Sequence, residues 1–242
     1  MILGDVSASE AAYRDMVNAA ARILGDDHIE VTNLRMEMAR NLRTSAPVEI
    51  TRMLFEQALQ DYRRAYGAAD ARLALPLFEL GRLDFEQGAF DAAHDSLTRC
   101  ISAVGEGPGG DIEDIRIAAL GYLMRIHMMR GESDSAMALL QNQLARPMAD
   151  RDAQLLVGDP PVYDNPYLEA EVGTLYTDLT FDIDEGGRPQ RIRVTGGTAP
   201  RAFAVEASRA VRGWIYLPRI KDGKPAEQTG VRVRMEVTGT AS

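Results

Sequence analysis

The apolar residues of this 242-residue chain change their period near residue 155. From Ser9 to about Arg146 they recur three and four apart, among Ala, Leu, Met, Arg, Glu and Gln, which is the pattern of amphipathic helices. Beyond the stretch Leu155-Leu156-Val157-Gly158-Asp159-Pro160-Pro161 they alternate with polar residues, which is the pattern of half-buried strands. One core cannot serve both patterns equally, so the chain is read as two parts. Charge supports the same division. From Pro160 onward 11 basic residues balance 11 acidic ones, leaving 16 basic against 25 acidic residues upstream, the whole of the net −9. The domains expected are a helical one over 1–150, a linker over 151–159 and an α+β one over 160–242.

The helical part is punctuated by Gly25-Asp26-Asp27, Gly67, Gly88, the run Gly105 to Gly110, and Gly131. Helices are expected from Ser9 and Ala12 onward, then over Val31–Leu42, Ile50–Tyr66, Leu73–Gln87, Phe90–Val104, Ile112–Arg130 and Ser135–Leu144. Pro47 and Pro76 suit opening turns, where a missing N–H costs little. The clearest unit runs Leu77, Leu80-Gly81, Phe85, Gly88, Phe90, Ala93, Leu97, Cys100. Gly81 and Ala93 are small where two helices would cross, and Gly88 sits at the turn between them. This order resembles the tetratricopeptide repeat, a helix–turn–helix of about 34 residues. A second copy follows in Leu120, Leu123, Gly131, Ala136 and Leu140, closed by Pro147. A weaker third precedes, with Phe55, Ala58, Tyr62 and Ala65 in the places of Phe90, Ala93, Leu97 and Cys100. Asp84 stands where the pattern usually has an aromatic, and Met124 replaces the small residue of Gly81.

In the second part Leu175, Thr177, Leu179, Phe181 and Ile183 alternate with Tyr176, Asp178, Thr180 and Asp182. A hairpin turn at Asp184-Glu185-Gly186-Gly187 leads to Ile192 and Val194, alternating with Arg191 and Arg193. An amphipathic helix follows, Phe203 to Trp214, with Phe203, Val205, Ala207, Ala210, Val211 and Trp214 as its apolar positions. After the turn Lys221-Asp222-Gly223-Lys224-Pro225 comes a last strand, Val231 to Val237. The fold class is therefore multidomain: a tetratricopeptide-type helical solenoid, then a small β-β-α-β domain with a three-stranded antiparallel sheet. Pro161-Val162-Tyr163, Gly173, Phe181-Asp182-Ile183-Asp184 with Gly187-Arg188, Ala207 through Ala210-Val211 to Trp214, Leu217-Pro218 and Asp222-Gly223-Lys224-Pro225 together resemble the C-terminal domain of TonB. Asp164 departs from it, standing where that family commonly has proline.

The resemblance implies a strand order with Thr174–Ile183 in the centre. The charges agree: Asp178 and Asp182 would face Arg191 and Arg193 on one side and Arg232 and Arg234 on the other, and opposite charges across strands favour pairing. The last strand then offers a free edge. Val231, Arg232, Val233, Arg234, Met235, Glu236 and Val237 are the candidate peptide-binding residues, and Trp214 is expected to anchor the core.

No catalytic residue, cofactor site or metal site is expected. His28, His94 and His127 lie in separate helical segments without ligand spacing. Cys100 takes a small-residue place at a helix crossing and reads as a buried thiol. The Gly105–Gly110 run follows a helix and lacks the Lys-Ser/Thr of a phosphate loop. Glu37, Glu56 and Glu86 are scattered, and the helix methionines read as core filling. An acidic first part disfavours nucleic acid and anionic membrane surfaces, and no run reaches the length of a membrane span. The expected partners are proteins or peptides, outer-membrane transporter segments among them. The expected function is a non-catalytic periplasmic adaptor, provided a leader or anchor precedes Met1. The alternative is a cytoplasmic repeat scaffold whose last domain only caps the solenoid.

Overall fold

The computed structural model describes residues 3–105, 110–163 and 174–238, with side chains over 11–105, 110, 112–163 and 175–236. The middle of the glycine run, Gly173 and Asp164 lie outside the described residues. By compactness the chain divides into Met1–Ile126 and His127–Ser242.

The first unit is helical. Its helices are α1 (Leu3–Leu24), α2 (Ile29–Leu42), α3 (Val48–Tyr66), α4 (Ala74–Glu86), α5 (Phe90–Ala103) and α6 (Asp111–Met129), whose last turn crosses the division. Successive helices α1 to α5 pack against their neighbours in the chain. The crossing of α4 and α5 is where the repeat pattern placed it. A Cβ on Gly81 would stand 2.6 Å from Leu97 Cγ and 3.3 Å from the Ala93 carbonyl oxygen, so only glycine lets these backbones approach this closely. Ala93, Leu97 and Cys100 are fully buried around it, with Leu77 and Leu80 nearly so. Gly88 supplies the turn with φ +75°, where nothing crowds a side chain. In the weaker copy Phe55, Ala58 and Tyr62 are buried as expected, while Ala65 is exposed at the end of α3.

Asp84, in the aromatic's place, is buried and held by Arg52 at 2.6 Å. Five residues earlier on the same helix, Glu79 is buried between Arg82 and Arg40. Desolvation pushes the Glu79 carboxyl above its ordinary range, against the pull of these arginines. Methionine is only partly core filling: Met36, Met38 and Met124 are buried, whereas Met16, Met53 and Met129 are exposed on outer helix faces.

The second unit opens with α7 (Ser133–Leu144) and continues into the α+β fold. Part of the stretch expected as a linker forms a strand. Gln154–Val157 forms strand β1, and the apolar run Leu155-Leu156-Val157 pairs antiparallel with β4 (Ile215–Leu217). Arg151 exchanges backbone hydrogen bonds of 3.0 and 2.9 Å with Ile220 just before it. The main sheet has the order β3-β2-β7, all antiparallel, from β2 (Thr174–Ile183), β3 (Pro189–Gly197) and β7 (Gln228–Thr238). A small hairpin of β5 (Arg219–Lys221) and β6 (Lys224–Ala226) precedes β7.

Helix α8 (Arg201–Gly213) covers one face of the sheet, against β2 and β3. Leu179, Phe181, Ile183, Phe203, Ala207, Val211, Trp214, Tyr216 and Met235 form the core beneath it. Trp214 is the anchor expected, and its indole N–H also donates to the Asp159 carbonyl at 2.9 Å. Val205 departs from expectation: it lies half-exposed beside the core stripe of α8.

Candidate functional site

All seven candidate residues lie on β7, an edge of the sheet. Val231, Val233 and Met235 pack on the helix-side core, as the period of two requires. Arg232, Arg234 and Glu236 are exposed on the opposite side. Val237 pairs with Leu175 through its backbone, and its side chain lies outside the described residues.

Beside β7 the outer face of β2 is a row of fixed charges. Arg234 forms two hydrogen bonds with Asp178, at 2.8 and 3.0 Å, and lies 3.9 Å from the centre of the Tyr176 ring. Cation–π stacking and a fork-shaped carboxylate contact hold its guanidinium at once. Arg191 bonds Asp182 at 2.5 Å and also meets Glu227, while the Gly230 N–H donates to Asp182 at 2.7 Å. These donors hold both carboxyls below their ordinary range: Arg234 chiefly for Asp178, Arg191 and then Gly230 for Asp182. The opposite-charge pairing expected across the sheet is therefore present on both sides of β2. Tyr176 was missed by sequence reasoning as a platform, although its place beside Asp178 in the outward-facing alternation was visible.

The direction of the free backbone groups follows from β2. Thr198 and Ala199 each donate a backbone N–H to the Tyr176 carbonyl at 2.9 Å, and the Thr195 hydroxyl donates to the Asp178 carbonyl at 3.3 Å. The backbone groups of Tyr176 and Asp178 thus point to β3. By alternation, those of Leu175, Thr177 and Leu179 point to β7, opposite Val237, Met235 and Val233. Val233 and Met235 are consequently bonded into the ladder, whereas the N–H and C=O groups of Arg232, Arg234 and Glu236 point outward.

Residues 176–236 match the family model described as the Gram-negative bacterial TonB protein C-terminal. This segment is a TonB C-terminal domain. The TonB2 protein of Vibrio anguillarum is 34% identical over 38% of this chain and 86% of its own, with a TM-score of 0.30. Other solved structures resemble the chain in fold alone. BtubC (BKLC) from P. vanneervenii is 17% identical over 64% of this chain and 65% of its own, with a TM-score of 0.50. The nearly identical TPR-like repeats of a Podosopora anserina protein described as a kinesin light chain are 20% identical over 59% of this chain and 66% of their own, at the same TM-score. The chain spans just under two thirds of the length of these two neighbours. No curated protein matches the sequence.

Outside the TonB C-terminal domain the residues weighed for chemistry remain apart. The His28 ring caps α2 by accepting from the Glu30 N–H at 3.3 Å, and the His127 ring contacts Glu132 at 2.6 Å. Cys100 is buried, and burial pushes its thiol up to about 12. Among the described residues no cluster of His, Cys, Asp or Glu is arranged to hold a metal ion, and no helix is long and apolar enough to cross a membrane.

Proposed function

We propose that this protein is a non-catalytic adaptor of the periplasm. Its TonB C-terminal domain docks an extended peptide along β7, and its tetratricopeptide-like helices hold a second protein. The observation that carries the reading is the outward row of backbone groups at Arg232, Arg234 and Glu236, which no strand among the described residues pairs. It lies on a strand whose other side is fixed to β2 by an antiparallel ladder, continuous from Thr174 to Phe181, and by the Arg234–Asp178–Tyr176 cluster. A peptide adding there gains backbone hydrogen bonds with little rearrangement of the sheet. Segments of outer-membrane transporters are the proposed occupants, by analogy with what the TonB family binds. The net −9 carried upstream of Pro160 favours basic partners for the helical part.

Titrating the isotope-labelled chain with extended transporter-derived peptides tests the first half. Amide signals of Val231 to Val237 should move first, and shifts confined to α8, or none with any such peptide, would remove the proposal. Partners captured through the helical part should bind more weakly as salt rises, because the screening length is about 8 Å at physiological ionic strength. Salt-insensitive capture of an acidic partner would count against the second half.

A further inference from the structure

Among the described residues the sheet has a second free edge, and it differs from the first. At β3 the outer side meets α8 in a cleft of about 580 Å³. Its helix wall is formed by Arg201, Ala204, Val205, Ser208 and Arg212, spaced as one face of a helix and turned away from the core stripe Phe203, Ala207 and Val211. Its sheet wall includes Val194 and the side-chain-free edge at Gly196 and Gly197. Val194 and Val205 are 51% and 50% exposed, which leaves an apolar floor open to water beside the outer edge of β3.

The charges over this floor are one-sided. Arg209 is held by Glu206 of its own helix at 2.8 Å. Among the described residues neither Arg201 nor Arg212 forms an ion pair. They stand at the two ends of α8, about 16 Å apart at 1.5 Å per residue. That span equals about five residues of an extended strand.

We propose that the groove between α8 and the free edge of β3 is a second docking site, and that its occupant is an extended peptide carrying apolar side chains between two carboxylates. The unpaired strand edge selects an extended backbone. The exposed valines take the apolar side chains, and Arg201 and Arg212 select acidic ends spaced four or six residues apart, since only even spacings share one face of a strand. The two edges of a three-stranded sheet are about 10 Å apart. This site and the β7 site are therefore separate and can be filled together.

The test uses the intact chain and the blocked heptapeptide Glu-Thr-Val-Thr-Val-Thr-Glu, which places both carboxylates and both valines on one face. Its binding should shift amide signals of Ile192 to Gly197 and of Ala204 to Arg212. Replacing both glutamates by lysine should weaken binding at least fivefold, as should the double change Arg201→Glu with Arg212→Glu, with Trp214 fluorescence confirming that the variant stays folded. The milder change Val205→Gln should weaken it without altering the preference for acidic over basic peptide. Equal affinity for both peptides, unchanged binding by the charge-reversed variant, shifts at Arg232 to Glu236 instead, or no saturable binding up to millimolar peptide would each overturn the proposal.

Discussion

Two glycines of the repeat do different work, and substitution separates them. Gly81 is required by crowding, because a side chain there would meet Leu97 and the backbone of α5. Gly81→Val should lower stability by about 1–3 kcal/mol, the usual cost of overpacking a core. Gly88 is required by its backbone angle and has open space around it. Gly88→Ala should cost about 1–2 kcal/mol for a left-handed residue, and Gly88→Asn clearly less. Denaturant midpoints of the three variants would check the order. A Gly81→Val protein as stable as the parent would show that α4 and α5 do not cross as described.

At the scale of elements, the outward and inward rows of β7 should respond oppositely to proline. Arg232→Pro removes an N–H that points away from the sheet, so the domain should fold and lose peptide addition. Val233→Pro removes a ladder N–H toward β2 and should unfold the domain. Circular dichroism together with peptide titration distinguishes the outcomes, and two variants behaving alike would refute the assigned alternation. The long elements were legible because α3, α5, α8, β2 and β7 each run long enough to display a period. The strands of three or four residues, β1, β4, β5 and β6, are too short to show one, so Leu155-Leu156-Val157 read as a linker until its partner Ile215–Leu217 was in view. The edge position of β7 was legible for a different reason: alternating Asp and Arg on adjacent strands favours one choice of neighbours. The cleft at β3 was hidden, because Val205 counts as apolar in sequence and only packing shows that it misses the core. Likewise Asp84 looked like a lapse in the repeat, since its partner Arg52 lies in another helix.

Across the whole molecule the two units should answer acid in opposite ways. Asp178 and Asp182 titrate below their ordinary range. The stability they lend is complete above the free-chain value of about 3.9 and is lost as pH falls through their lower folded values. Glu79 titrates above its ordinary range, so its protonated form favours folding; that contribution is present in acid and is lost as pH rises through the raised value. Acidification should therefore weaken the sheet unit while relieving the helical one. Trp214 is the sole tryptophan and reports on the sheet, whereas most of the ellipticity at 222 nm comes from the helical unit. The fluorescence transition should occur at a higher pH than the loss of helix, and Asp178→Asn with Asp182→Asn should bring the two together. Coincident transitions in the parent protein would contradict this ordering.

The pairing of β1 with β4, with the Trp214–Asp159 hydrogen bond behind it, also gives the sheet unit a mechanical character. Tension entering from the helical side reaches Gln154 before it reaches Thr174, the first residue of β2. The first structures to carry load are thus the Arg151–Ile220 bridge and the ladder of three residue pairs behind it, rather than the three-stranded sheet. Once these open, the 13 residues from Arg151 to Tyr163 can extend to at most about 45 Å, at about 3.5 Å each. The β7 edge stays intact during this extension. In a single-molecule pulling experiment this would register as a short, low-force lengthening ahead of the main rupture, and a peptide held on β7 would ride through it undisturbed.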